Sequence, residues 1–258
     1  MPQLPLPILD FQQFIADDKA RDLFLSRLRD AAHHVGFFYL INHGIDEQII
    51  ENANRSAEAF FQLPLEEKVA VHMVNSPHFR GYTNLYDEIT RDAPDRREQF
   101  DYMPEYPAYP LEEIPVDEPW LRLQGPNQWP EALPQLKEHL LTLQKAQTEV
   151  AKELLRAFAL ALGQPEDIFA PTLANKPSVL SKAIHYPGIS GEEQGVGPHK
   201  DSGYLTFVSQ DEVSGLEVLK GDEWVLAPPI KGSFVVNIGE LLEVASHGYL
   251  KATYHRVQ

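Results

Sequence analysis

The sequence predicts a mixed α and β chain that ends in a β-sandwich or jelly roll, preceded by N-terminal helices and one long bracing helix. From Val179 onward, short runs of β-branched and aromatic residues recur between Gly, Pro and acidic turns, with no helical pattern between them. From Glu131 to Leu162, apolar residues return at steps of three and four, the spacing of one helix face. Ahead of both, apolar stretches switch between the strand period and the helix period.

Taken in order, Ile8-Leu9-Asp10-Phe11 reads as a short edge strand. Lys19 to Ala32 reads as a helix with Phe24, Leu28, Ala31 and Ala32 on its inner side and Leu23 at the border. Val35 to Ile41 is an apolar run closed by the turn signal Asn42-His43-Gly44, hence a buried strand. Asp46 to Phe61 is an amphipathic helix stopped at Pro64. Val74 to Gln128, rich in Pro, Tyr and acidic residues, has little periodicity and reads as a long irregular region, either a substrate-facing lid or a solvated excursion. Phe79, Arg80, Tyr82 and Tyr102 are its candidate wall residues.

The helix from Glu131 to Leu162 carries Leu136, Leu140, Leu143, Gln147, Val150, Leu154, Ala157 and Ala161 on one stripe, with Gly163 placed to cap it. At 1.5 Å per residue it spans on the order of 45 Å, and its leucines read as core packing rather than a dimer seam. The strands expected after it are Val179 to Tyr186, His199 to Gln210, Leu216 to Leu219, Trp224 to Leu226, Ser233 to Ile238 and Thr253 to Val257. The Gly-rich stretch from Gly188 to Gly197 lacks Gly-Lys-Ser/Thr and carries Glu192 and Glu193, which oppose phosphate, so it reads as a hairpin leading into the strand of His199. The expected organisation is a single domain over 1–258, with an N-terminal helical and strand region with irregular loops over 1–128, the long helix over 129–163 and the jelly-roll metal core over 175–258.

Composition narrows the function. The 258 residues are 43% hydrophobic, enough for one full core. A net charge of −16, with no basic cluster longer than Arg96-Arg97, argues against nucleic acid or an acidic membrane surface as partner. With no cysteine there are no disulfides. The first residues lack a leader pattern and no apolar run reaches membrane length, so the expectation is a cytoplasmic protein acting on a small molecule, with its oligomeric state open. No Gly-x-Ser-x-Gly elbow supports a serine hydrolase.

The chemistry concentrates in Gly197-Pro198-His199-Lys200-Asp201-Ser202-Gly203. Two positions apart on a strand, His199 and Asp201 turn to the same side and Lys200 to the other. A third ligand, His255, sits in another strand-like segment, and two His with one carboxylate hold non-haem Fe(II) on one face of an octahedron. His-x-Asp also occurs on strands with no metal nearby, so a purely structural role stays open for the tripeptide alone. The other histidines, His33, His34, His43, His72, His78, His139, His185 and His247, read as hydrogen-bonded core or surface residues.

The surrounding text resembles the Fe(II)- and 2-oxoglutarate-dependent oxygenases of the isopenicillin N synthase-like family. It runs His199-x-Asp201-x-Gly203-x-Leu205-Thr206, Gly215-Leu216-Glu217-Val218-Leu219, Gly232-Ser233-Phe234-Val235-Val236-Asn237-Ile238-Gly239-Glu240 and Lys251-Ala252-Thr253-x-His255-Arg256-Val257. Gly36-Phe37-Phe38-Tyr39-Leu40-Ile41-Asn42-His43-Gly44 and Arg80-Gly81-Tyr82 extend the likeness over nearly the whole chain. The resemblance implies a double-stranded β-helix core, with His199, Asp201 and His255 as catalytic metal ligands, Fe(II) as cofactor, 2-oxoglutarate as co-substrate and O₂ as oxidant. It further implies oxidation, by default hydroxylation, of a small-molecule C–H bond with release of succinate and CO₂.

Tyr186 aligns with the tyrosine that holds the far carboxylate of 2-oxoglutarate, while Ile184 stands where the family often has Asn. The family's Arg-x-Ser anchor would lie beyond Gln258, so the expectation is a chain truncated at its C-terminus; Arg256 points away from His255, and Lys182, on the face of Tyr186, is a candidate substitute cation. The same resemblance admits an oxidase of the isopenicillin N synthase or aminocyclopropane-carboxylate oxidase kind that does not consume 2-oxoglutarate. A catalytically silent binding protein is the reading from a different class.

Overall fold

The computed structural model describes residues 6–174, 176–188 and 194–258. In chain order the elements are β1 (Ile8–Asp10), α1 (Gln12–Ile15), α2 (Asp18–His34), β2 (Phe37–Ile41), α3 (Glu47–Phe61), α4 (Leu65–Ala70), β3 (Gly81–Thr83), β4 (Ile89–Thr90), β5 (Ala93–Pro94), β6 (Glu98–Tyr102), α5 (Gln135–Ala161), α6 (Ala170–Leu173), β7 (Ser181–His185), β8 (Val196–His199), β9 (Leu205–Val208), β10 (Leu216–Lys220), β11 (Glu223–Leu226), β12 (Phe234–Ile238), α7 (Glu240–Ala245) and β13 (His255–Val257). They form two compact units, one of Met1–Glu47, Gln147–Pro177 and Gln194–Gln258, the other of Gln48–Ala146 and Ser178–Glu193. Of the hairpin expected between Gly188 and Gly197, residues 189–193 lie outside the described residues. Among the described residues no helix is long and apolar enough to cross a membrane.

The first unit holds two four-stranded sheets, in the orders β1-β2-β12-β9 and β11-β10-β13-β8, antiparallel except where β1 runs parallel to β2. This is the jelly-roll core. Alternate side chains from the two sheets meet in one apolar cluster: Phe37, Tyr39 and Val235 from the first, Leu216 and Val218 from the second, with Leu6 and Ala227. Removing a side chain of this size from water contributes about 1.5–3 kcal/mol. The Tyr39 hydroxyl donates to the Pro228 carbonyl at 2.7 Å, so the ring is buried without stranding its polar end. Helix α2 buries Phe24, Leu28, Ala31 and Ala32, as its periodicity predicts, and leaves Leu23 exposed.

The expected strand from His199 to Gln210 is two strands. β8 pairs with β13 in one sheet and β9 with β12 in the other, so the chain must leave extended geometry to cross between them. Residues 200–204 make that corner.

The second unit is built on a three-stranded antiparallel sheet, β3-β6-β7. The region from Val74 to Gln128 therefore contains β3 and β6, wholly buried strands, rather than being irregular throughout. Glu98, Gln99 and Asp101 hide β6 from a hydrophobicity reading, because the fold supplies partners that make polar residues tolerable inside. Glu98 alone accepts bonds from Lys68 Nζ at 2.7 Å and the Tyr82 hydroxyl at 2.6 Å, with His185 Nδ1 at 2.8 Å. Phe100 packs against Phe60 (4.9 Å between ring centroids) and Trp129 (5.6 Å).

The long helix is α5, 27 residues or about 40 Å, with Leu136, Leu140, Leu154, Ala157 and Phe158 buried. Its end is a Schellman cap. Gly163 adopts φ +68°, its N–H reaches Leu160 O at 3.0 Å, and the Gln164 N–H reaches Ala159 O at 2.9 Å.

Candidate metal centre

Antiparallel pairing of β8 with β13 sets His199 directly opposite His255, and their rings lie 4.2 Å apart. Asp201 comes from the corner after β8, not from the strand itself. Convergence thus arises from a cross-strand pair plus a turn, whereas strand alternation alone is the mechanism the sequence suggests. Asp201 Oδ1 faces both imidazoles, 3.6 Å from His199 Nε2 and 3.7 Å from His255 Nε2. One ligand atom from each residue falls within 4.8 Å of the others, the group among the described residues that could hold a metal ion.

Each candidate ligand is oriented by a partner of its own. His199 Nδ1 donates to the Gly197 carbonyl at 2.9 Å and His255 Nδ1 approaches the Thr253 carbonyl at 3.4 Å, which leaves the Nε2 lone pairs for a metal. Asn237 Nδ2 donates to Asp201 Oδ2 at 2.9 Å, freeing Oδ1. Thr206 adds a second side-chain bond to the carboxylate, and in register β12 places Asn237 opposite Thr206. The first turn of α7 holds the Asp201 backbone: Glu240 N–H donates to Asp201 O at 2.7 Å and Gly239 N–H to Tyr204 O at 2.9 Å.

Electrostatics suits the same purpose. Burial pushes the His255 imidazole down to about 4, against a smaller upward pull from Asp201, so it is neutral near pH 7. Burial alone would raise the Asp201 carboxyl, but the two histidines and the bonds from Thr206 and Asn237 outweigh it and hold it below the ordinary carboxylate range. Phe37 packs edge-on to His255 at 5.1 Å and excludes water from that side.

The charged residues next to the candidate ligands are committed to other partners. Lys200 turns away to Glu243 at 3.2 Å, and Arg256 bonds Glu217 at 2.6 Å beneath the Trp224 ring. Tyr186 lies in the second unit, just past β7; burial pushes its phenol up, and its side chain shares a hydrogen bond with Arg97. Lys182 is committed to Asp101. The expected wall residues divide. Phe79 is exposed, whereas Arg80 donates to the carbonyls of His78, Phe79 and Leu123, the Tyr82 hydroxyl is bound to Glu98, and Tyr102 is buried. Asn237, Thr206 and Gly239 are the supporting residues that the sequence reading assigned no role; a lone Asn inside Phe234-Val235-Val236-Asn237-Ile238 is the signal that marks one of them.

A family model described as "non-haem dioxygenase in morphine synthesis N-terminal" matches residues 6–132, and one described as "2OG-Fe(II) oxygenase superfamily" matches residues 176–258. The chain is 34% identical, over 98% of its length and 79% of the relative's, to homoarginine-6-hydroxylase 2-ODD-C23.1 of Arabidopsis thaliana. It is 36% identical, over 98% of its length and 69% of the relative's, to the 2-oxoglutarate-dependent dioxygenase frbJ of Dothideomycetidae sp.. Among solved structures it resembles a full-length Neurospora crassa protein crystallised in complex with alpha-KG and thymine, with a TM-score of 0.82 and 26% identity over 99% of this chain and 80% of that one.

Proposed function

The chain belongs to the 2OG-Fe(II) oxygenase superfamily and is a 2-oxoglutarate- and Fe(II)-dependent dioxygenase, and we propose that His199, Asp201 and His255 are its iron ligands and Tyr186 its anchor for 2-oxoglutarate. The ligand assignment is carried by one observation: two imidazole nitrogens and one carboxylate oxygen converge from β8, the corner after it and β13. The donor set fits ferrous iron, which takes two His and one carboxylate on one face and keeps its other positions for exchangeable ligands. Iron held there supplies O₂ activation coupled to decarboxylation of 2-oxoglutarate, giving succinate, CO₂ and an oxidised, by default hydroxylated, C–H bond.

The protein's own groups do the positioning. The Gly197 and Thr253 carbonyls fix the histidine tautomers, and Asn237 and Thr206 keep the carboxylate ionised and rotated. One carboxylate against a divalent ion leaves a net positive centre, which suits an anionic oxoacid. Tyr186, the anchor proposed for that acid's far carboxylate, shares a side-chain hydrogen bond with Arg97. One relative is named for homoarginine and a structural neighbour holds thymine; a small molecule is the substrate proposed here.

Anaerobic Fe(II) titration tests the ligands. One tight site is expected in the wild type and its loss in His199→Ala and Asp201→Ala; both variants binding iron as the wild type does would sink the assignment. Tyr186→Phe is expected to raise the 2-oxoglutarate concentration needed for half-maximal succinate release about tenfold, with iron affinity unchanged.

A further inference from the structure

The three-stranded sheet of the second unit has two unlike faces. One carries Tyr82, Phe100 and Ala183 into the aromatic core. The other, by strand alternation, carries Thr83 from β3, Gln99 and Asp101 from β6, and Lys182 and Ile184 from β7, with Arg97 and Tyr186 continuing the rows.

Gln99 and Asp101 are both 0% exposed, and on each an acceptor, Gln99 Oε1 and Asp101 Oδ1, has no hydrogen-bond partner among the described residues. Buried polar atoms are rarely left so, since each costs about 1–3 kcal/mol. The amide cannot cure this by flipping: Gln99 Nε2 donates to Glu88 Oε1 at 3.3 Å, which fixes the oxygen toward the face. Lys182 satisfies only Asp101 Oδ2. Thr83 Oγ1, in register with Gln99, is likewise buried and unpartnered among the described residues, and a hydroxyl can serve either way. The unpartnered donor on this face, Arg97 Nε, lies at the opposite end beside Tyr186, so donors and acceptors are segregated along the strand.

Glu88 and Asp101 repel each other, while Lys182 bonds Asp101 Oδ2 and Arg97 and Arg80 attract the carboxylate without bonding its free Oδ1. Burial pushes the Asp101 carboxyl up, with Lys182 and, more weakly, Arg97 pulling it down, the condition of a carboxylate that a further cation would stabilise. Two orphaned acceptors two residues apart call for a ligand with several N–H donors.

We propose that Asp101 and Gln99, supported by Glu88 and Thr83, form a binding site for the ammonium or guanidinium group of a small molecule. That this molecule is the enzyme's substrate rests on the oxygenase reading above; the cation preference does not.

The test is calorimetry on the full chain with Fe(II) and 2-oxoglutarate under anaerobic conditions, using arginine, its neutral isostere citrulline, lysine and glutamate as probes. At least one cationic probe is expected to bind, with citrulline and glutamate at least about tenfold weaker, and Asp101→Asn is expected to erase that preference. Should Asp101→Asn fail to fold, Gln99→Met, which keeps the length and removes the acceptor, is expected to cut the preference several-fold. Equal binding of arginine and citrulline, no binding by either cation, or a preference that survives in the folded variants would each overturn the proposal and mean that the acceptors hold only water. If succinate release is accelerated by neutral molecules and by no cation while the calorimetric preference persists, the cation site stands and its identification with the substrate falls. If His199→Ala and Asp201→Ala both retain iron while the cation preference persists, the iron-ligand assignment falls and the cation site stands.

Discussion

Replacing Gly239 by alanine is a sharp test of how the proposed metal centre is held, because the residue lies outside the proposed ligand set yet packs against the corner that carries Asp201. A Cβ built there would sit 2.0 Å from Gly203 O and 2.6 Å from Gly203 C, whereas ordinary contact begins at 3.4 Å, so backbone must give by about 1.4 Å. The segment that gives is the corner carrying Asp201, two residues from Gly203 and tied to α7 through Glu240 N–H to Asp201 O at 2.7 Å. Displacing a positioned group by about 1 Å costs on the order of 100-fold, and loss of support around a metal ligand costs about 10–100-fold in metal affinity. We predict a fall of about 10–100-fold in Fe(II) affinity for Gly239→Ala, or about 1.4–2.7 kcal/mol. Anaerobic Fe(II) titration reads this, with circular-dichroism melting to confirm the fold. Gly203→Ala is the matched control on the same corner: its Cβ meets nothing within 4 Å, and iron affinity is expected to stay within about threefold. Wild-type affinity in Gly239→Ala, or an equal loss in Gly203→Ala, would refute the idea that α7 sets the position of Asp201.

Asn237→Ala removes the 2.9 Å bond that orients Asp201 Oδ2 and is expected to weaken iron about 10–100-fold while the sheet stays folded, measured by the same titration. In the second unit, Glu98→Gln leaves Lys68 buried without its 2.7 Å partner and should cost about 3–5 kcal/mol near pH 7, read from the urea midpoint. Burial raises the Glu98 carboxyl, but Lys68, Tyr82 and His185 together hold it below its ordinary value. A depressed carboxylate contributes stability in full above the unfolded pKa of about 4.3 and loses it as pH falls through the lower folded value, so the gap between wild type and Glu98→Gln should be widest at neutral pH and close on acidification below about pH 4; a gap that widens in acid would contradict the assigned sign. Gly163→Ala forces a Cβ into φ +68° at the end of α5 and should cost about 1–2 kcal/mol, seen as a lowered melting temperature with iron affinity unchanged.

The sequence by itself determined the elements whose pattern is local. Helix α2 and the long α5 follow from apolar residues recurring at the helical period and from a glycine able to adopt positive φ at the cap. The short strands of the jelly roll follow from β-branched runs between turn residues, and the three candidate ligands from the types of side chain that bind ferrous iron, read in matching context. Tertiary structure decided what depends on residues far apart. Strand alternation by itself would aim His199 and Asp201 together, but β8 stops at His199 because the chain crosses to the other sheet there, and the carboxylate is aimed by α7 and Asn237 instead. β6 was invisible for the converse reason. Its charged residues are stable inside only beside Lys68, Tyr82, His185 and Lys182, which approach from elsewhere in the chain, and no window of sequence contains both a buried charge and the distant group that neutralises it.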